Sequence, residues 1–169
     1  INEIAWAGSA DSGSDEWIEL YNPGCQTINL TGWKIVDDDT GNYDLGTNNI
    51  APNGYLLIED HENSVKTITA DHLVSLSLAN SGDKLVLKDP GGAIIDTINS
   101  SGGSWYAGDS TAKASMERLD PLKSGDDRSN WKTVSSGSGQ FASLGSTIMG
   151  TPKSINSISS APQEKPLIT

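Results

Sequence analysis

The chain has 169 residues and a formal net charge of −11, which suit a single domain and argue against nucleic acid as a partner, because affinity for phosphates comes from Lys and Arg. Residues 1–63 hold twelve carboxylates and one base, so the excess there equals the whole net charge. No stretch reaches the ~18 consecutive apolar residues that span a bilayer, and the single cysteine, Cys25, excludes a disulfide within the chain.

Strand patterns recur at short spacing, separated by turn residues. Apolar and polar side chains alternate along Trp17–Tyr21, and Asn22-Pro23-Gly24 ends that strand. Asp89-Pro90-Gly91-Gly92 is typical of a hairpin connection. The candidate strands, in chain order, are Ile1–Trp6, Trp17–Tyr21, Trp33–Val36, Tyr55–Glu59, Leu73–Leu78, Lys84–Lys88, Ala93–Ile98, Ser115–Leu119 and Trp131–Val134.

No segment keeps an apolar period of 3.6 residues, so the sequence predicts an all-β domain of about eight or nine short strands without a long helix. The regular pattern closes at Gly150-Thr151-Pro152. Residues 153–169 are rich in Ser and Pro, and we expect a tail or linker that is ordered only if something holds it. A start at Ile1 rather than Met is expected of a mature or excised fragment.

Candidate catalytic groups are few. The two histidines, His61 and His72, lie in acidic, loop-like sequence, and no activated-serine signature accompanies them, so we predict that the chain is not an enzyme. Glu3 and Glu19 lie in mid-strand and share one face if their strands pair. Three interpretations stay open for them: a structural ion pair with Arg118, simple solvation, or a metal or acid–base pair.

Two acidic loops raise the question of a metal. Asp37, Asp38 and Asp39 precede Gly41, and clustered oxygen ligands on a turn are what Ca²⁺ prefers. The spacing does not fit an EF-hand loop, because the glycine and the closing acid are misplaced. Asp11 and Asp15 form the second loop. A solvated polar loop is the alternative in both cases, so we predict no cofactor, with Ca²⁺ kept as a hypothesis.

The five tryptophans are expected to fill much of the core. Trp17 and Trp33 lie in strand patterns, which favours burial. Trp105 and Tyr106, beside Gly102-Gly103, are the best candidates for an exposed aromatic contact, for example with a carbohydrate.

A set of short motifs extends along most of the chain. They are Asn2-Glu3-Ile4, Glu16-Trp17-Ile18-Glu19-Leu20-Tyr21-Asn22, Leu30-Thr31-Gly32-Trp33, Ser81-Gly82-Asp83 with Leu85, Leu87 and Asp89, Asp96, Ser115-Met116-Glu117-Arg118, Asn130-Trp131 and Gly150-Thr151-Pro152. Together these motifs resemble the lamin tail domain family in its bacterial form, over residues 1 to about 152. The resemblance implies an immunoglobulin-like β-sandwich without a shared catalytic motif, used as a module of exported or surface proteins, some of them beside nucleases or other hydrolases.

We therefore expect a monomeric, non-catalytic binding or structural module of a larger secreted or cell-surface bacterial protein. Its loops would meet a protein or a cell-surface polymer, since rigid scaffolds display function on loops. Two alternatives remain: a Ca²⁺-dependent or carbohydrate-binding adhesion module, and an accessory domain that targets a neighbouring nuclease or hydrolase.

Overall fold

The computed structural model describes residues 1–37 and 41–158, and the regular structure of that part is almost entirely strand. Its one helix is a single 3₁₀ turn at Arg128–Asn130. The strands are β1 (Glu3–Ala5), β2 (Trp17–Tyr21), β3 (Ile28–Asn29), β4 (Lys34–Asp37), β5 (Gly41–Asp44), β6 (Asn49–Ile50), β7 (Tyr55–Glu59), β8 (His72–Leu73), β9 (Leu85–Lys88), β10 (Ile94–Ile98), β11 (Met116–Arg118) and β12 (Trp131–Thr133).

These strands form two main sheets and one small one. The larger sheet has the order β12-β11-β1-β2-β7-β8, the second has the order β10-β9-β4-β5, and β3 pairs with β6. Every pairing is antiparallel except that of β7 with β8. The prediction of an all-β sandwich without a long helix is confirmed for the described residues.

The main core lies between the two large sheets. Ile4, Ile18 and Ile58 are neighbours in register across β1, β2 and β7, and all three are fully buried. Ile35 and Leu85 meet them from the second sheet within one apolar cluster. Because side chains alternate along a strand, the residues directly before and after Ile4, Ile18 and Ile58 must point to the outer face of the larger sheet.

The predicted strand Leu73–Leu78 is wrong beyond Leu73. Only the two-residue strand β8, His72–Leu73, forms in this region. Beyond Val74, whose amide donates to the carbonyl of Glu59 on β7, backbone amides bond to side chains: Leu76 N donates to Asp60 Oδ1 and Leu78 N to Glu16 Oε2, each at 3.0 Å. These carboxylates accept hydrogen bonds that a neighbouring strand would accept in a sheet. An alternating apolar pattern alone cannot distinguish the two cases.

Three short strands were not predicted: β3, β5 and β6. Each is two to four residues long and rich in Gly, Asn or Asp, residue types that are depleted in strands. They form because a neighbouring strand supplies the hydrogen bonds, which local propensity does not report.

The outer face of the larger sheet is covered rather than solvated. Trp17 and Leu57 point outward from β2 and β7 and pack with Val65, Ala142 and Ile148 in a second apolar cluster. The covering residues belong to the loops after β7 and after β12, which form a third layer. Six residues of the predicted tail, 153–158, are described and continue this layer, while 159–169 lie outside the described residues.

Candidate functional site

The most concentrated chemistry of the molecule is a row of three carboxylates on the outer face of the larger sheet. Glu3 on β1 is paired in register with Glu19 on β2 and with Glu117 on β11. All three residues are fully buried. We call Glu19, Glu3 and Glu117 the carboxylate row. The predicted pairing of the strands that carry Glu3 and Glu19 is thus found, but neither side chain is solvated.

The C-terminal segment, residues 151–157, lies over this row and supplies most of its hydrogen-bond donors. Thr151 donates its backbone N–H to Glu3 Oε1 at 2.9 Å, and its Oγ1 lies 3.0 Å from Glu3 Oε2 and 2.5 Å from Glu117 Oε1. Ser157 donates to Glu117 twice, from its N–H at 3.1 Å and from Oγ at 2.7 Å. From the sheet itself, Ser115 Oγ donates to Glu3 Oε1 at 2.5 Å.

Glu19 is held in the same way at the other end of the row. It accepts the backbone N–H of Lys153 at 2.5 Å and the side-chain amide of Asn2 at 2.9 Å. Asn156 closes the arrangement, because its Oδ1 accepts from Asn2 Nδ2 at 2.8 Å and its Nδ2 donates to the carbonyl of Arg118 at 2.8 Å. Contacts between the sheet and the chain therefore continue well past residue 152.

Burial and mutual repulsion disfavour ionisation along the row. Burial first, and then the charge of Glu117, raise the pKa of Glu3 from 4.5 to about 8, although its hydrogen bonds oppose the shift. Burial, followed by the charge of Glu3, raises the pKa of Glu19 well above its ordinary value. At neutral pH the row therefore retains protons that exposed carboxyl groups would release.

The hydroxyl of Thr151 lies between two carboxyl groups of the row. Its oxygen is within hydrogen-bond distance of both Glu3 Oε2 and Glu117 Oε1, but a hydroxyl has only one proton to donate. One of the two carboxyl groups must therefore carry a proton for both contacts to be hydrogen bonds, and the raised pKa of Glu3 favours that group. With the proton on Glu3, hydrogen bonds run from Glu3 to Thr151 and from Thr151 to Glu117.

The ion pair predicted between Arg118 and Glu3 or Glu19 is wrong. Because Glu117 shares the outer face with Glu3, the next residue along β11 must face the opposite side of the sheet. There the Arg118 guanidinium pairs with Asp96, with Nη1 at 2.6 Å from Oδ2, and lies 5.9 Å from the centre of the Trp131 ring.

The row as folded binds a segment of its own chain. Its oxygens accept protein donors on a face closed by the C-terminal segment, with no exposed carboxylate surface. Acid–base chemistry on an external substrate requires a carboxyl group within hydrogen-bond reach of that substrate.

A second set of side chains brings together a serine, a histidine and an aspartate. His61 Nδ1 lies 3.0 Å from Ser64 Oγ, and its Nε2 lies 3.4 Å from Asp15 Oδ1. Ser64 is fully buried, and its hydroxyl also lies 3.1 Å from the carbonyl of His61. The serine is therefore placed to close a turn, not to meet a substrate. The other histidine, His72, contacts the carbonyl of Asp44 at 2.7 Å.

The structure describes the acidic loop of Asp11 and Asp15 completely, and the loop of Asp37–Asp39 only in part. Asp37 is buried and accepts a hydrogen bond from Tyr43 Oη at 3.0 Å, whereas Asp38 and Asp39 lie outside the described residues. Asp11 accepts backbone N–H groups of the loop after β12, and these bonds hold the pKa of its carboxyl below the ordinary value. Among residues 1–37 and 41–158, no three candidate ligands converge on a metal position. The Ca²⁺ hypothesis for Asp37–Asp39 stays a prediction.

Trp105 is not the exposed aromatic that the sequence predicts. It is 5 % exposed and stacks on Trp6, with ring centres 6.1 Å apart and planes at 11°. Its Nε1 donates to the carbonyl of Ala79 at 2.8 Å, so its polar group is satisfied inside the core. Tyr106 is half-buried; it donates to Asp126 Oδ1 at 2.7 Å, and the Arg128 guanidinium lies 4.7 Å from its ring centre. The neighbouring Gly102 and Gly103 favour a loop tip in the sequence, but in the structure Trp105 is buried and Tyr106 is half-buried.

An apolar groove of about 650 Å³ was not predicted. It lies beside β10, and three large apolar side chains on it are strongly exposed: Ile94 at 65 %, Ile95 at 51 % and Leu122 at 80 %. Its lining includes core residues and charged groups, among them Leu20, Leu30, Ile50, Leu87, Asp96, Arg118, Lys123 and Asp126. The adjacent pair Ile94-Ile95 is the sequence signal for it. Because side chains alternate along a strand, only one of two adjacent isoleucines on an edge strand can face the core, and the other is left as exposed apolar surface.

Within the described residues, no helix has the length and apolar character needed to cross a membrane.

A family model described as Lamin Tail Domain matches residues 1–102 of the chain. This confirms the resemblance seen in the sequence motifs, and the family's immunoglobulin-like sandwich agrees with the two packed sheets. The match ends before β11 and β12, although β11 pairs directly with β1. No curated protein sequence matches the chain.

Proposed function

Because the chain belongs to the lamin tail domain family, we propose that it is a non-catalytic binding module of a larger exported or cell-surface bacterial protein. The support for a non-catalytic role is the burial of its ionisable clusters. The carboxylate row lies beneath the C-terminal segment, and Ser64 is fully buried beside His61.

The apolar groove beside β10 is the observation that carries the binding role. Scattered exposed apolar residues are normal on a protein surface, but a contiguous concave patch of them is typical of an interaction site. Ile94, Ile95 and Leu122 expose their side chains around one cavity of about 650 Å³. The partner is a protein segment with adjacent aliphatic residues. The charged side chains on the groove itself, Asp96, Asp126, Arg118 and Lys123, balance, so the net charge of −11 acts at longer range and favours the approach of a segment that carries Lys and Arg.

Selection of displayed peptides on the protein tests this role. We expect enrichment of sequences that combine aliphatic and basic residues. Leu122→Glu should weaken their binding by about tenfold or more, which corresponds to ~1.4 kcal/mol. Leu144→Glu is the matched control, because Leu144 is 83 % exposed, as Leu122 is 80 %, but lies outside the groove. Lack of enrichment, or equal binding by both variants, would contradict the proposal.

A Ca²⁺-dependent or carbohydrate-binding adhesion module is the alternative, and it depends on the loop that begins at Asp37. Calorimetric titration with Ca²⁺ and a glycan array distinguish it from a protein-binding module. Heat of binding that disappears in Asp39→Asn would favour the alternative, since carboxylate oxygens are the ligands that Ca²⁺ prefers.

The exported location and a role beside a nuclease or hydrolase are parts of the proposal that the full-length reading frame tests. We expect an export signal upstream, and a catalytic domain beside this one would favour an accessory role. Hydrolase activity of the module itself that Glu3→Gln abolishes would contradict the non-catalytic assignment.

A further inference from the structure

The C-terminal segment is attached to the sheet through acceptors whose charge depends on pH, and this attachment is separate from the groove. Of the donors that reach the carboxylate row, the backbone N–H groups of Thr151, Lys153 and Ser157 and the hydroxyls of Thr151 and Ser157 come from the segment. The segment also has contacts that do not titrate: Pro152 is buried, and Asn156 bonds to the Asn2 amide and to the carbonyl of Arg118, whereas Ile155 is 48 % exposed. The part of the attachment made by Thr151, Lys153 and Ser157 therefore depends on the protonation state of the row.

We propose that the C-terminal segment is a latch. The proton shared between Glu3 and Glu117 keeps the latch closed, and loss of that proton opens it. With the proton present, Glu3 donates to Thr151 and Thr151 donates to Glu117, so every contact in the chain is a hydrogen bond. Without it, two buried carboxylates face a single hydroxyl proton. One contact becomes a repulsion between oxygens, and both charges lie on a face shielded from water.

The surrounding charges do not replace this proton. Lys153 Nζ is 2.6 Å from Asp71 Oδ1, so its charge is already paired at the surface, and such exposed pairs contribute little. Tyr55 stays neutral through this range because burial, followed by the charge of Glu19, raises its pKa to about 12. The titratable groups facing or interacting with the row from neighbouring elements are Tyr21 on β2, Tyr55 and Glu59 on β7, Lys132 on β12, Lys153 with Asp71, and the amino group of Ile1.

Opening would uncover a specific surface. Trp17 lies directly under the start of the segment, since a Cβ on Gly150 would be 2.7 Å from its ring and 2.8 Å from Glu3 Oε1. Release of the segment therefore exposes the three carboxylates, while Trp17 stays packed against Val65, Ala142 and Ile148. The burial of Glu3 and its raised pKa place this transition on the weakly alkaline side of neutrality.

Amide hydrogen exchange of the full chain, followed by NMR from about pH 6 to about pH 9.5 and expressed as protection factors, tests the latch. We expect the protection of the Thr151, Lys153 and Ser157 amides to fall by about tenfold or more across this range, while that of Ile18 in the core is unchanged. In Glu3→Gln the fall should disappear, because the Gln amide donates to Thr151 at every pH. Glu62→Gln, at an exposed position, is the charge-matched control and should behave as the wild type.

Protection that stays constant in the wild type, or falls equally in Glu3→Gln, would overturn the proposal. If Glu3→Gln does not fold, the wild-type protein alone decides. The carboxyl-carbon shift of Glu3 should titrate together with the loss of protection. Titration of Glu3 near its ordinary value of 4.5 would overturn the latch.

Discussion

A single hydroxyl, that of Thr151, links the last part of the chain to two carboxylates of the sheet. We predict that Thr151→Val destabilises the protein by about 1–3 kcal/mol, because buried Glu117 then loses a donor and the protonated Glu3 loses an acceptor. Thr151→Ser keeps the hydroxyl and should cost much less. Denaturant unfolding measures both. Equal losses for the two variants would show that shape rather than hydrogen bonding matters at this position.

Gly150 is required for a different reason, close approach. A Cβ there would lie 2.7 Å from Trp17 and 2.8 Å from Glu3, so Gly150→Ala forces a buried ring or the backbone to move. We expect a loss of about 1–3 kcal/mol in the free energy of unfolding. Gly13→Ala is the control, since a Cβ at Gly13 meets no atom within 4 Å. A neutral Gly150→Ala would mean that the segment does not lie on Trp17 as described.

The elements show how far the sequence alone leads. Period-two alternation located β2, β7 and β9 well, because their inward residues are uniformly apolar. It could not locate β5, which forms only because β4 supplies a partner. Propensity describes a residue's own backbone and not the neighbour that satisfies it.

The candidate site was predicted only in part, for the same reason. Strand pairing correctly brought Glu3 beside Glu19, but the sequence could not show that β11 would place Glu117 on their other side. Because Glu117 faces the outer side of the sheet in that register, Arg118 faces the inner side, away from Glu3 and Glu19. The predicted ion pair therefore does not form. Most of the covering segment, from residue 153 onward, falls in the predicted tail because its composition is polar. Its polar groups are what the buried carboxylates require as donors.

The pairing of β1 with β11 leads to a prediction about the extent of the folded unit. A chain ending at residue 102, where the family match ends, lacks β11, β12 and the whole C-terminal segment. Glu3 and Trp17 would then lose their covering layer. We expect no cooperative unfolding transition from this shortened chain, in contrast to one that spans residues 1–158. Unfolding of the shortened chain at the same denaturant midpoint would contradict this.

The whole molecule combines a familiar sandwich with a third layer that depends on buried acids. The two sheets share the main apolar core, while the loops after β7 and β12 cover the outer face. Charge within this arrangement is unevenly placed. Glu3, Glu16 and Glu59 are shielded from water, and burial is the largest cause of the raised pKa of each. The groove beside β10 remains as accessible apolar surface, which is why we place partner binding there.

These raised pKa values give the molecule an unusual pH dependence of stability. In the folded state Glu3 has a pKa of about 8, and Glu16 and Glu59 have pKa values of about 7, whereas the ordinary value is 4.5. Between these values the folded state binds more protons than the unfolded state. These three groups therefore lower the free energy of unfolding as pH rises from 4.5 through 8, whereas the amino group of Ile1, whose pKa burial lowers from 8.0, acts in the opposite direction.

The free energy of unfolding of the full chain at about pH 5 and about pH 8 is the most direct measurement of this account. We expect a single transition that is more stable at the lower pH by about 2 kcal/mol or more, with a smaller difference in Glu3→Gln, since one pKa unit corresponds to about 1.4 kcal/mol. Equal or greater stability at the higher pH would mean that the row is not a buried, proton-retaining part of the fold, and two separate transitions would mean that the third layer is not part of one folded unit.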